Sequence, residues 1–536
     1  MTTITPFAAG SYLTTRNAGQ LTTLKNQLND LSNQVSSGQV SQTYGGLGSG
    51  RSTALAAQAT LSALTGYAAG ITAAQTRTNL AVTSLTQVAT LGTSARQSLN
   101  NGLQSAATSS IAGRSTALGN LQTVLDTLNQ SAAGNYLFGG GNTSTQPVLD
   151  ANTILNGTTN IDGSPKDGLT KLIKDQIAAD LGSGSGWLEN TMTSSKPPTT
   201  PPSLPDTVTV TEDSDTRASF GFNVGGASST TTAIKATASV GTTTTPGTIN
   251  FTVNNPPVVG DSVTVTLKMH DGTSTTLTLT AVSGTTATST SSTGGTFAIG
   301  ADAATTASNL NTALQAAIKT AASNTLAVSS TAVAAKNFFS GSVSAGIYPQ
   351  RIDYSGSKPV YVAGSKDETV LWYQGEDTRG PPPDLTPTSA LATQSTQISS
   401  SASIGTGARA NDVAIQNVLA GFATMAYSLP TTSDSSTTAT YQAVINSAGK
   451  LLSSSDTTSP SVQDTVTQLS LASARLSNAS TTNAATQNTM QNTLDSIEQV
   501  SPEEAIAKLL DVQNRLQASY QITASLSKLS LVNYIS

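Results

Sequence analysis

The spacing of apolar residues changes twice along this 536-residue chain, and that change constrains its fold more than any single motif. Near the start, Leu21, Leu24, Leu28, Leu31 and Val35 recur at alternating intervals of three and four, which lays them along one stripe of a helix. Ser36, Ser37 and Gly38 end the run, the glycine being suited to the left-handed residue that closes many helices. After the Gly-rich loop Tyr44–Gly50, a second helical stretch runs from about Thr53 to Leu103, marked by Leu61, Leu64, Ile71, Leu85, Val88 and Leu99. A third carries Leu118, Leu121, Leu125 and Leu128. Intervening positions are often Ala or Ser, so these helices can approach closely.

The pattern breaks at NYLFGGGNTSTQPV, Asn135 to Val148, and again at KPPTTPPSLP, Lys196 to Pro205, which reads as a stiff linker. Beyond it the period becomes two. Val208 and Val210, then Ile249, Phe251 and Val253, then Val263, Val265, Leu267 and Met269, then Leu277 and Leu279, alternate with Thr, Ser and other polar residues. These are half-buried strands, with Asp271-Gly272 as a hairpin turn. One helix interrupts them, starting near Asp302 and carrying Leu310, Leu314 and Ile318. RIDYSGSKPVYVAG and VLWYQGED read as further strand and turn, and PPPD at Pro381 to Asp384 closes the middle.

The last third returns to helical spacing, over Val413 to Ala426, then through Val462, Val466, Leu469 and Leu476. Ser501 is placed as an N-cap, Pro502 at the first helical position, with two glutamates in the first turn. Leu509, Val512, Leu516, Leu526 and Leu529 then extend an amphipathic stretch almost to Ser536. The expected fold is α+β and multidomain. Long N- and C-terminal helices pair as a coiled coil or bundle and flank β-rich middle domains. Neither terminal stripe is wide enough to be consumed by one partner helix, so apolar surface is left for neighbouring subunits.

Charged residues make up 10% of the chain, against roughly 25% in an ordinary globular domain. With a net charge of -5 and no basic stripe, nucleic acid is not an expected partner. There is no cysteine, which removes disulfides and thiolate chemistry. No stretch approaches the ~20 apolar residues needed to span a bilayer, so membrane insertion is not expected. MTTITPFAAGSYLTTRNAGQ lacks the charged start and apolar core of a secretory leader, so export would use another route.

Few residues here are equipped for chemistry. The single histidine, His270, falls in the hairpin turn and is expected to be exposed and solvated. One histidine without partners builds neither a triad nor a metal site. Glu212, Asp213 and Asp215 in TEDSD resemble a fragment of a calcium loop but lack its glycine and distal glutamate, so a solvated loop is expected. GGLGSG and FGGG lack the following Lys-Ser/Thr of a phosphate cradle. GTGARAN reads as a turn before a helix. No catalytic residue, metal site or cofactor is expected, and the chain is not read as an enzyme.

Four segments resemble the flagellin superfamily, in particular its hook-associated branch. LSNQVSSGQVSQTYGGLGSG (Leu31 to Gly50) resembles the helix and loop near the start of these proteins, and NYLFGGGNTSTQPV the exit from their helical domain. VLWYQGED followed by GTGARAND (Gly405 to Asp412) resembles the alphaproteobacterial version, and LQASYQITASLSKLSLVNYIS their C-terminal helix. A filament flagellin would be expected to show Arg-Leu-Ser-Ser-Gly, then a run like Asp-Asp-Ala-Ala-Gly, and an Ala-Gln-Ala-Asn tail. Here Gln34, Val35, Ser36, Ser37 and Gly38 occupy the first place, no such run follows, and the chain ends LVNYIS. Both departures favour the hook–filament junction proteins, with filament flagellin as the alternative and a secreted adhesin or fibre protein as a more distant one.

The resemblance implies a structural adaptor exported unfolded through the flagellar type III apparatus to the extracellular flagellum. It also implies self-assembly in a helical array, with flagellin, hook-associated protein 1 and a flagellar export chaperone as partners. The expected organisation is an export and polymerisation helix at 1–45 and a helical core at 46–138 and 396–500. A β-rich middle domain follows at 139–204 and 336–395, a Thr-rich β insert with one helix at 205–335, and a C-terminal polymerisation helix at 501–536. The polymerisation interface is assigned to Leu21, Leu24, Leu28, Leu31, Val35, Leu509, Val512, Leu516, Leu526 and Leu529.

Overall fold

The computed structural model describes residues 6–104, 106–193, 206–284, 290–291, 293–379, 388–430, 437–452 and 460–535. Side chains are described for all of these except 6–11, 13–14, 103–104, 106–112, 290–291, 437, 526–527 and 529–535. The Pro-rich stretch before Asp206 and the PPPD segment therefore lie outside the described residues. The chain is a mixed α and β protein that divides into two compact units. The terminal unit comprises Met1–Ala73, Gln397–Ser403 and Arg475–Ser536, and the central unit Ala74–Thr396 and Ile404–Ala474. Both divisions between long segments fall inside helices, α2 (Arg51–Gln104) and α10 (Val462–Glu498), at places where composition does not change.

In the terminal unit, α1 (Pro6–Ser37) packs against α11 (Pro502–Ile535). The end of α1 follows from Gly38, whose φ of 71° puts its N–H within 2.8 Å of the Gln34 carbonyl. The chain then pairs briefly with the α10–α11 junction: Val40 N–H donates to Glu498 O at 2.7 Å and Val500 N–H to Gly38 O at 3.0 Å. A small core joins the start of α2 to the end of α10, with Ala54, Ala57 and Leu494 buried against Leu47, Leu61, Met490 and Ile497.

The central unit has two cores. In the first, the rest of α2, α3 (Ala106–Thr127), α4 (Ala151–Asn156) and α5 (Leu169–Leu181) gather with the C-terminal helices. Of these later helices, α8 (Val413–Ser428) is buried nearly all round, as its run VLAGFATMA requires, and touches α3, α7 (Ala327–Phe339) and α9 (Thr437–Leu452). Gly92 is where α2 meets the end of α9 so closely that a Cβ would sit 2.6 Å from the Leu452 carbonyl oxygen. VLWYQGED forms no named strand. Its backbone exchanges bonds with residues 147–149, and Trp372 and Tyr373 fill the core beside Phe339. Bulk, more than alternation, placed those aromatics inside.

The second core belongs to a β region wrapped on α6 (Ala303–Ala321), whose N-cap Asp302 accepts from Thr305 N–H at 2.7 Å. One sheet has the order β1-β2-β5-β4, from β1 (Leu188–Thr193), β2 (Asp206–Glu212), β4 (Ile234–Ser239) and β5 (Thr248–Val253). The other has the order β8-β9-β7-β6-β3. Its strands are β3 (Asn223–Ser229), β6 (Ser262–Lys268), β7 (Ser274–Val282), β8 (Thr290–Ser291) and β9 (Gly294–Ala298). All pairs are antiparallel except β7 with β9. The period-two residues Val208, Val210, Phe251, Val265, Leu267 and Leu279 meet Leu310, Leu314 and Ile318 of α6. The sheet also takes in β1, from before the Pro-rich stretch. A π-helical turn, Ala322–Leu326, carries the chain from α6 into α7. A hairpin of β10 (Arg351–Asp353) and β11 (Val360–Val362) lies where RIDYSGSKPVYVAG was expected to turn.

Candidate assembly surface and enclosed polar groups

On α1 the half-buried positions are Asn17, then Leu21, Leu24, Leu28 and Leu31, as the spacing required, and then Gln34. Val35 instead points outward, 37% exposed. Helix geometry explains the difference: after Leu31 the stripe steps by three, and the Gln34 amide is held by donating to the Val40 carbonyl at 2.9 Å. On α11 the inward stripe is Ala505, Leu509, Val512, Leu516, Ser519 and Thr523, again at fours and threes, with Val512 9% exposed. Leu526 and Leu529 lie on the α11 backbone, but their side chains are outside the described residues.

Further apolar residues on α11 lie outside that stripe. Ile506, Leu510 and Tyr520, 45%, 53% and 54% exposed, share one flank of the helix about 100° round from it, and Ile522, 58% exposed, lies on the other flank. Around them Glu504–Lys508 and Asp511–Arg515 form exposed i,i+4 pairs at 2.7 and 2.9 Å, which solvent screens almost completely. Burial of the helix face, more than these pairs, must hold α11 in place.

NYLFGGG, VLWYQGED and GTGARAND, from the middle of the chain, converge in the central unit. Gly140 N–H donates to Ala408 O at 3.0 Å, Ala410 N–H to Phe138 O at 2.9 Å, and Glu376 N–H to Gly139 O at 2.9 Å. Between them sits a buried ionic group. Arg379 pairs with Asp377 at 2.6 Å, and Asn411 donates to the same carboxylate at 2.6 Å. Burial pushes Asp377 up, but Arg379 more than offsets it and holds the carboxyl below its usual range. Arg409, 3% exposed, donates to Thr378 Oγ1 at 2.6 Å and to the Thr388 carbonyl. So GTGARAN is a turn before a helix, as read, and Arg409 within it also ties three distant segments together.

Beside Arg409 lies a cavity of about 270 Å³, lined also by Asp412, Asp464, Thr388 and Gln468. Burial raises the Asp412 pKa, with the Arg409 charge pulling it back only in part. Among the described residues, no three or more His, Asp or Glu side chains gather in a way that could hold a metal ion.

Two polar groups depart from what the residues alone suggested. His270 is half-buried, not solvated, and its Nε2 is enclosed without a hydrogen-bond partner. The turn docks onto helices: Asp271 N–H reaches Ser329 Oγ at 3.4 Å, and Ser447 Oγ donates to the Asp271 carboxylate at 2.5 Å. The TEDSD loop is likewise not free in solvent. Lys358, from the β10–β11 hairpin, places its ammonium 2.6 Å from Asp213 and 2.7 Å from Asp215, where a cation would sit in a calcium loop. Burial pushes Asp213 up, and the Lys358 ammonium with the Thr216 N–H outweighs it, leaving its pKa lowered. Glu212 turns inward and pairs with Arg217, its side chain 1% exposed.

Among the described residues no helix is long and apolar enough to cross a membrane. The chain matches no protein-family model and no curated protein.

Proposed function

We propose that this chain is a non-enzymatic structural subunit of the bacterial flagellum, an adaptor that joins hook to filament by polymerising through its helical termini. In this reading α1 and α11 form a coiled coil at the axis of a helical array. Flagellin and hook-associated protein 1 are the neighbours along the axis. An export chaperone holds the chain before it leaves the cell by the flagellar type III route.

The observation that carries the reading is the pair of apolar faces on α11. One stripe packs inward, while Ile506, Leu510 and Tyr520 stand open on another. The terminal unit has few other buried residues to stabilise it. A helix of this kind completes its burial on neighbouring subunits, at about 25 cal/mol for each Å² of apolar surface removed from water. The resemblance of the four segments then selects the flagellar setting.

Deletion of the gene, with electron microscopy of the cells and assay of flagellin in the medium, tests it. Bare hooks with flagellin lost to the medium are the expected result. Bare hooks without released flagellin would assign the chain to the filament itself. Normal filaments would overturn the proposal.

A further inference from the structure

The outer face of the β1-β2-β5-β4 sheet is a lattice of hydroxyl groups. Antiparallel register puts Thr207 opposite Thr252, Thr209 opposite Asn250 and Thr211 opposite Thr248 on the two central strands. The edge strands extend these rows with Thr193, Thr191 and Glu189 on one side, and Lys235, Thr237 and Ser239 on the other. The alternate residues, among them Val208, Val210, Ile249 and Phe251, face the core against α6. The six central outward residues are half-buried by their neighbours, and the edge ones are exposed.

Strand geometry sets the repeat of this face, about 4.8 Å from strand to strand and about 6.8 Å along a strand. Thr is β-branched and stiff at χ1, so each methyl and hydroxyl is held nearly in place before anything binds. Across the central strands the groups are also tied laterally, Thr209 Oγ1 donating to Asn250 Oδ1 at 2.8 Å. Sheet twist of roughly 20° per strand breaks the repeat across four strands. It leaves the three central rows as the best-aligned part.

The chemistry of the face narrows its partner. Charge is confined to Glu189 and Lys235 on the two edge strands, where charge also guards against edge pairing. Neither nucleic acid nor an anionic lipid surface finds the cations it needs. The rows contain no Trp, Tyr or Arg, the residues that anchor protein interfaces and offer sugars a stacking platform. What remains is a rigid, neutral array of paired methyls and hydroxyls, which suits a solid whose surface repeats hydrogen-bonding oxygens. We propose that this Thr face binds ordered water at an ice surface. The proposal is independent of the flagellar reading and rests only on the register of these strands.

The test uses the full chain in two assays, partition into a slowly growing ice front and suppression of ice recrystallisation in sucrose solution. The native chain is expected to enrich in the ice fraction and to keep ice grains small. Thr209→Tyr should cut that enrichment at least tenfold, whereas Thr312→Tyr, on the exposed side of α6, should leave it unchanged. Thr252→Tyr replaces the first variant should circular dichroism show that it does not fold. Exclusion of the native chain from ice would overturn the proposal, as would equal enrichment of the native chain and a folded Thr209→Tyr or Thr252→Tyr chain.

Discussion

The Glu212 carboxylate receives the Arg217 guanidinium together with the N–H groups of Val224 and Gly247, in a place almost without solvent. Glu212→Ala would leave Arg217 and two amides unpaired, and breaking one side of a buried pair costs about 3–5 kcal/mol. Urea denaturation followed by circular dichroism should show that loss in the β region. Asp180 is the opposite case. Burial raises its folded-state pKa, although Gln176 and the Gly221 N–H hydrogen-bond to it at 2.9 Å each. The folded chain therefore holds this proton to higher pH than the unfolded chain. Its contribution to stability falls as pH rises from about 3.9, the ordinary carboxyl value, through the raised folded pKa, and the deficit is full above that. Asp180→Asn removes the deficit, so its melting temperature should change less than the native one between about pH 4 and about pH 7. Neither behaviour was legible in the sequence. TEDSD announced acidity, but which carboxylate turned inward, and that Lys358 would reach the other two, depended on chain contacts far apart in sequence.

At the scale of elements, α1 and α11 were legible because helical period is a local property of the chain. Leu21 to Leu31 and Leu509 to Leu516 fall on the inward stripes as spacing required. Val35 does not, since a step of three and a step of four after Leu31 were both open to the sequence and the Gln34–Val40 hydrogen bond selected the former. α11 offers a contrast between its two faces. Val512→Ala removes inward apolar bulk and should cost about 1.5 kcal/mol in the monomer. Leu510→Asp, on the open face, should leave monomer stability within about 0.5 kcal/mol yet prevent assembly. Thermal denaturation and sedimentation of the two variants separate these outcomes, and loss of stability without loss of assembly in Leu510→Asp would remove that face from the interface. Helices α5, α7 and α9 escaped the sequence reading although helical spacing is present in them, as in Leu169, Leu172, Ile173 and Ile177 of α5.

At the scale of the whole molecule, the two compact units differ in what holds them. The central unit has two large cores, whereas the terminal unit buries only scattered apolar residues, Ala54, Ala57, Ile71, Leu476, Leu494, Ala505 and Val512, and otherwise relies on half-buried stripes. Local opening free energy follows buried apolar contact. Amide exchange in α1 and α11 of the isolated chain should therefore be much faster than in α8 or β5, and protection should rise on polymerisation. Equal protection of α1 and α8 in the monomer would contradict this account. The sequence by itself determined the order of helical ends around a stranded middle, because the apolar period of α1, α11 and the longer strands is written residue by residue. Only the tertiary structure decided that β1 joins the sheet from before the Pro-rich stretch and that the unit boundaries fall within α2 and α10. The enclosure of Trp372, Arg409 and His270 was decided at the same level. Each depends on segments distant in sequence reaching the same place, and no local pattern encodes which distant segment that will be.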